Sequence, residues 1–166
     1  DITVVLDRDA KIVHLNNAGL ELLGFSREEL IGQHWFKTCL PKDMQAEVEQ
    51  VFIETIAGKY HPYIVYENPV VTKSGSTRQI LWKNSYLRDE WGRIKASVSA
   101  GIDVTCQKRM EKELHQQNQK VRFFLETVPF GIVYADKNGS ITYVNQYAAR
   151  ILDIDPHNEL QIKYNS

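Results

Sequence analysis

Apolar and polar positions along the chain alternate with two different periods, and the changes of period mark its elements. Ile2 to Leu6 is rich in β-branched residues, Asp7-Arg8-Asp9-Ala10 carries turn-forming types, and Lys11 to Leu15 resumes the apolar run. This is the pattern of a β-hairpin, which Asn16-Asn17 closes. Ala18, Leu20, Leu22 and Leu23 then share one side of a short helix that Gly24 stops. A second short helix has Ser26 at its N-cap, Glu28 and Glu29 in the first turn, where carboxylates complement the helix dipole, and Gly32 at its end. Trp35-Phe36 and Leu40 belong to a further turn that Pro41 breaks. Asp43 is then expected to cap a longer helix reaching about Ala57. Val48, Val51, Phe52 and Ile56 recur along it at helical spacing, while Glu47, Glu49, Gln50 and Glu54 form its wet side.

Beyond Gly58 the pattern becomes extended. Tyr63 to Thr72, Thr77 to Arg88 and Arg93 to Ile102 read as three strands joined by the turns Lys73-Ser74-Gly75-Ser76 and Asp89-Glu90-Trp91-Gly92, an antiparallel meander. In the middle strand Ile80, Trp82, Asn84 and Tyr86 share one face, and Gln79, Lys83 and Ser85 the other, as in a sheet covered on one side. In the last strand Ile94, Ala96, Val98, Ala100 and Ile102 alternate with Lys95, Ser97, Ser99 and Gly101, and residues this small invite a close approach to the sheet.

After Ile102 the chain turns polar and rich in helix formers from Gln107 to Leu114, with Asp103 or Thr105 available to cap the first turn. Gln107, Met110, Leu114, Gln117, Val121, Phe124 and Val128 follow the three-and-four spacing of a heptad seam. A helix over this stretch spans about 35 Å, enough to hold two domains apart while pairing with a second chain. Because two of these seven positions are Gln, a solvated connector packed on its own domain is an equal reading.

The opening hairpin then returns. Val4 to Asn16 matches Val133 to Asn145 at an offset of 129 positions, with Asp7/Asp136, Ile12/Ile141, Asn16/Asn145 and Leu23/Leu152 identical in type. Solenoid units recur at about 20–50 residues, so this repeat marks tandem domains.

Composition adds mainly exclusions. With 43% apolar and 25% charged residues among 166, the chain can build a core. A net charge of −1 offers no footprint for nucleic acid or an anionic membrane. Its apolar runs fall far short of the ~18 residues of a membrane span, and no secretory signal pattern opens it. The segment is therefore expected to be soluble, without membrane contact of its own; the expected location is cytoplasmic, with membrane attachment of the full-length protein left open. The missing initial Met and the early break in the second copy are expected of an excerpt from a longer protein. Cys39 and Cys106 lack metal-ligand spacing and read as reduced thiols, with no metal site. Enzyme motifs are missing too: there is no phosphate loop, no His-Glu-x-x-His pair and no nucleophile elbow. His115 lacks the acidic neighbour and downstream Thr-Pro of a phosphoacceptor motif.

Five stretches carry a family pattern in order: Asn16-x-Ala18 with Leu22-Leu23-Gly24-Phe25; Ser26 to Gly32; Lys73-Ser74-Gly75 before a strand with Trp82; Asp89 and Gly92 in a turn; and Gly101-Ile102-Asp103-Val104-Thr105. With the element order, they resemble the PAS sensor domain. The last stretch is similar to the family's Asp-Ile-Thr junction, with Val104 in place of isoleucine. The resemblance implies an α+β fold with a five-stranded antiparallel sheet and short helices on one face. A long linker helix and the start of a second PAS-like domain would follow. It divides the chain into a sensor domain over 1–105, a signalling helix over 106–129 and the truncated beginning of a second such domain over 130–166. A piece below about 40 residues rarely folds alone, so this last part is expected to be partly disordered, docked on the first domain or paired across a dimer.

The family implies a regulatory role, most often upstream of a histidine kinase or a cyclic-di-GMP synthase or hydrolase in a bacterial signalling protein, with any catalysis in an output domain outside this chain. Its signal commonly leaves through the last strand and the following helix. This makes Asp103 and Thr105 the expected junction, and Met110, Leu114, Val121 and Phe124 the expected seam of a homodimer. The default ligand site is a cavity between the covered sheet face and the helix from Asp43 to Ala57, lined by Asn68, Trp82, Asn84, Tyr86, Ser97 and Ser99. The competing reading has Trp82 and Tyr86 simply filling the core of a ligand-free dimerisation or docking module. Flavin-adduct relatives need a cysteine where Trp35 stands, and Cys39 is a turn away; haem relatives need a histidine on the long helix, where none occurs, His61 lying just beyond. A non-covalent flavin or a small metabolite remains compatible.

Overall fold

The computed structural model describes residues 1–59 and 65–153. Two compact units are present, Asp1–Arg109 and Met110–Ser166. In the first, β1 (Ile2–Leu6) and β2 (Ile12–Leu15) precede α1 (Asn17–Leu23), α2 (Arg27–Leu30), α3 (Trp35–Cys39) and α4 (Gln45–Ile56), and β3 (Val65–Val71), β4 (Thr77–Arg88) and β5 (Ile94–Asp103) complete it. The strands form one antiparallel sheet in the order β2-β1-β5-β4-β3. Leu23, Leu30, Trp35, Phe36, Cys39 and Leu40 of the helical segment pack with Ile2, Val4, Leu6, Val70, Ile80 and Trp82 of the sheet in a single buried core. This is the expected α+β architecture.

Local chemistry accounts for the joints. The Asp7 carboxylate accepts the N–H groups of Asp9 and Lys11 at 2.9 and 2.8 Å, and the chain turns through Ala10 at φ 59°. The same turn recurs at Asp89, with Gly92 at φ 79°, and at Asp136, with Gly139 at φ 79°. Glycine takes the left-handed conformation without the Cβ penalty that Ala10 bears. Ser26 forms a complete capping box with Glu29, so the expected second helix begins as read.

Two boundaries differ from expectation, and a third lies outside the described residues. Asp43 does not cap the long helix: Met44 N–H bonds back to Pro41 O at 3.1 Å, which keeps 42–44 in a turn, and α4 starts at Gln45 behind an N-cap Met44 with no side-chain bond. Gln45 instead ties the helix start to α3, its amide donating to Leu40 O at 3.0 Å. Strand β3 begins at Val65, the expected start at Tyr63 lying outside the described residues, as does His61. Strand β5 is shifted by one residue, from Ile94 to Asp103, because Asp103 still pairs with Ile80.

Helix α5 (Thr105–Thr127) leads from the first unit into the second, where β6 (Val133–Ala135), β7 (Ile141–Val144) and α6 (Gln146–Leu152) repeat the opening order of elements. The described part of 130–166 has its own small core of Ile141, Val144, Ala148 and Ala149. The repeat extends to individual bonds. The Asn16 side chain accepts from Thr3 and Gly19 N–H and donates to Asp1 O; that of Asn145 accepts from Ile132 and Ala148 N–H and donates to Phe130 O, every partner displaced by the same 129 positions. Asn145 adds one bond of its own, to Leu125 O of α5 at 2.8 Å.

Candidate functional site

Strand register sets the cavity wall. Across β4 and β5, Trp82 stands opposite Gly101, Asn84 opposite Ser99 and Tyr86 opposite Ser97; β1 places Val4 beside Ser99 and Leu6 beside Ser97, and β3 places Tyr66 beside Trp82. The inward residues of β5 are therefore Ser97, Ser99 and Gly101, all buried, while Ile102 on the opposite face is exposed. Small side chains in mid-sheet leave room above them. Helices supply the other wall: Trp35 and Phe36 from α3, and Glu47, Val48, Val51, Phe52 and Thr55, which share one face of α4. The space between these walls has a volume of about 250 Å³.

Trp82 is the fixed point of this wall. Its indole N–H donates to Asn68 Oδ1 at 2.7 Å in a buried pair, and its ring meets Trp35 edge to face at 5.8 Å. Gly101 makes room beneath it, since a Cβ there would lie 2.6 Å from the indole ring and 2.6 Å from Ile80 Cγ2. Phe36 and Phe52 stack edge to face at 5.2 Å, joining α3 to α4 along the same wall.

All six residues singled out from the sequence, Asn68, Trp82, Asn84, Tyr86, Ser97 and Ser99, line this one cavity. Tyr66 was missed although it lies two positions before Asn68 on the same strand face. Trp35 and Phe36 were missed because five residues of helix give too little period to read a face. Glu47, read as part of the wet side, is exposed and also lines the cavity.

The wall offers aromatic faces and neutral hydrogen-bonding groups. Burial pushes the Tyr86 phenol up, so it stays a neutral donor at physiological pH. Thr55 already spends its hydroxyl on Val51 O at 2.8 Å. Glu47 is the one acidic side chain on the wall, and no Lys, Arg or His lines it among the described residues. Cys39 is buried in α3 away from the lining, with its thiol pushed up to about 12 by desolvation, so it holds its proton. Among the described residues no group of three or more His, Cys, Asp or Glu side chains converges as a metal site.

Below the cavity the sheet passes into the helix through a compact polar joint. Asp103 accepts from both the Thr105 N–H, at 2.8 Å, and the Thr105 hydroxyl. The same hydroxyl oxygen accepts the Gln79 N–H of β4 at 2.8 Å, and Gln79 O accepts from Val104 N–H at 2.9 Å. Lys108, one turn on, pairs with Glu67 of β3 at 3.0 Å. On α5 itself Met110, Leu114, Val121 and Phe124 are exposed to 62%, 60%, 57% and 62%, so none of the described residues covers the seam. Val128 falls just past the helix and is buried, which ends the seam at Phe124.

A family model described as the PAS fold matches residues 1–104, and one described as a PAS domain matches residues 119–165. The chain belongs to the PAS family. Two matches in series make it a tandem PAS segment, in agreement with the repeated hairpin and its repeated asparagine bonds. Comparison with curated proteins gave no match. Among solved structures, the PAS domain of the quorum-sensing receptor RpfR from Cronobacter turicensis, in complex with BDSF, is 22% identical with a TM-score of 0.51, over 63% of this chain and 93% of that one. A sensory box histidine kinase/response regulator from Burkholderia thailandensis is 20% identical, TM-score 0.56, over 73% and 89%. The PAS domain of Bordetella pertussis BvgS is 18% identical, TM-score 0.52, over 72% and 88%. At these identities the likeness is one of PAS fold. Among the described residues of this PAS chain no helix is long and apolar enough to cross a membrane.

Proposed function

We propose that residues 1–105 form a sensor of a small molecule, that 106–129 carry its signal, and that 130–166 begin the next PAS domain of a cytoplasmic bacterial signalling protein. The output, a histidine kinase or a cyclic-di-GMP synthase or hydrolase, lies in another part of that protein. One observation carries this reading. Ser97 and Ser99, which line the cavity, belong to the same strand as Asp103, whose carboxylate holds the first residue of α5. A ligand that moves β5 by a fraction of an ångström acts directly on the start of the helix. To signal, it must favour one arrangement of that joint over another by a differential binding free energy. The BDSF complex of the RpfR PAS domain and the kinase context of the Burkholderia protein are consistent with this role.

Native mass spectrometry of the purified protein, with absorbance and thermal shift, tests the reading. A small molecule retained at one per chain is expected, along with its loss in Ser99→Leu, which fills the cavity between β5 and α4 while keeping the fold. Absence of any bound molecule, with no thermal shift from a metabolite panel, would overturn it. The exposed apolar seam of α5 favours a second reading, a dimerisation module with no ligand. In that case Ser99→Leu would leave both the mass and the dimer unchanged.

A further inference from the structure

Whatever enters the cavity leaves water and meets a wall of fixed polarity. We propose that this cavity takes a small organic cation, an ammonium group on a compact apolar body, with Glu47 as its counter-charge; the proposal rests on the ligand-binding reading above. Three observations point the same way. Among the described residues no basic side chain lines the space, so a carboxylate or phosphate entering it would lose hydration and find no opposite charge. Among the described residues Glu47 is the single acidic group there and forms no ion pair, whereas Glu29 and Glu67 each find a cation, in Lys73 and Lys108, and Glu49 meets the His34 imidazole. Glu47 also sits in the first turn of α4, where its charge offsets the positive helix end that would otherwise attract an anion.

The rest of the wall suits the same ligand. Trp35, Phe36, Phe52, Tyr66, Trp82 and Tyr86 contribute aromatic rings, and ammonium groups are held over such faces by the ring quadrupole. A volume of about 250 Å³ limits the body to one small ring or a short chain. Asn68, Asn84, Ser97 and Ser99 add neutral hydrogen-bonding groups from the sheet that can orient the ligand without selecting its charge.

A matched trio of probes tests charge alone: benzylammonium, benzyl alcohol and benzoate share one ring and one substituent position. Titrated into the intact chain and read by tryptophan fluorescence in a Trp91→Phe background, which removes the exposed third indole, benzylammonium is expected to bind about tenfold tighter than the alcohol, and benzoate more weakly than either. Glu47→Gln should bring benzylammonium to within about twofold of the alcohol, and added salt should weaken only the cation. Benzoate binding as tightly as benzylammonium, or a Glu47→Gln variant that keeps the full preference, would overturn the proposal while sparing the ligand-binding reading. No response to any of the three probes would also overturn the proposal, and the ligand-binding reading then stands or falls by the native mass spectrometry above.

Discussion

Trp82 gives the cavity its rigidity through a single bond. Its indole N–H is buried and bonded to Asn68 Oδ1, so Asn68→Ala leaves a buried donor without that partner. An unmet buried donor costs about 1–3 kcal/mol, and urea unfolding followed by tryptophan fluorescence should register a loss in that range; a change near zero would mean that the indole has found another acceptor. Asn68→Asp keeps an acceptor and should recover part of the loss at neutral pH. At the surface, Glu29 illustrates linkage. Its bond from Lys73, and then the Ser26 N–H, hold its carboxyl below the ordinary value of 4.5 in the folded state. A lowered folded pKa means that the stabilisation is present above the unfolded value and is lost as pH falls through the folded one. Thermal midpoints of wild type and Glu29→Gln should therefore differ at pH 7 and converge as pH falls through the lowered folded value. A difference that persists at pH 3 would show that the capping geometry, and not the charge, carries the effect.

Among the elements, the strands were legible because period-two alternation fixes a face, and β4 runs over the residues expected from it. Strand β5 was harder, since it inverts the usual pattern. Its aliphatic set Ala96, Val98, Ala100 and Ile102 lies on the outer face while Ser97, Ser99 and Gly101 turn inward, so polarity alone points the wrong way and only the size of the residues hints at the cavity. The start of α4 was misread because Asp43 is a good cap by type, but a proline two residues earlier holds the chain in a turn past it. The bonds of Glu126 had no sequence signal, since they join residues far apart in the chain. At the end of α5 its carboxylate accepts from the Tyr143 hydroxyl at 2.8 Å and from the Gln146 N–H at 2.7 Å, tying the helix to β7 and α6. Desolvation, then the bond to Glu126, push the Tyr143 phenol up to about 12. Ultraviolet titration of Glu126→Gln should show one tyrosine ionising earlier than in wild type, while an unchanged curve would assign the shift to desolvation alone.

For the whole molecule, the repeat was the clearest signal in the sequence, and the matched bonds of Asn16 and Asn145 explain why the asparagine is kept in both copies: it closes a strand entry and caps a helix at once. The role of the linker helix was less legible, because a seam with two Gln positions looks the same whether a partner or water covers it. Its four exposed apolar residues predict that a Leu114→Asp, Val121→Asp double variant sediments as a monomer under conditions where the wild type is dimeric, with the far-ultraviolet spectrum of the first domain retained. Equal sedimentation of the two proteins would place the dimer contact elsewhere.

The two cysteines differ in a useful way. Cys39 is sealed in the core with its proton held, while Cys106 is exposed at the second residue of α5, immediately after the Asp103–Thr105 joint. A thiol-directed nitroxide will therefore attach to the native chain at one place, at the head of the helix, with no engineered cysteine. In a symmetric pair of chains those two labels form a molecular ruler, and pulsed electron resonance would read any ligand-driven rotation of the helices as a change in the distance between them.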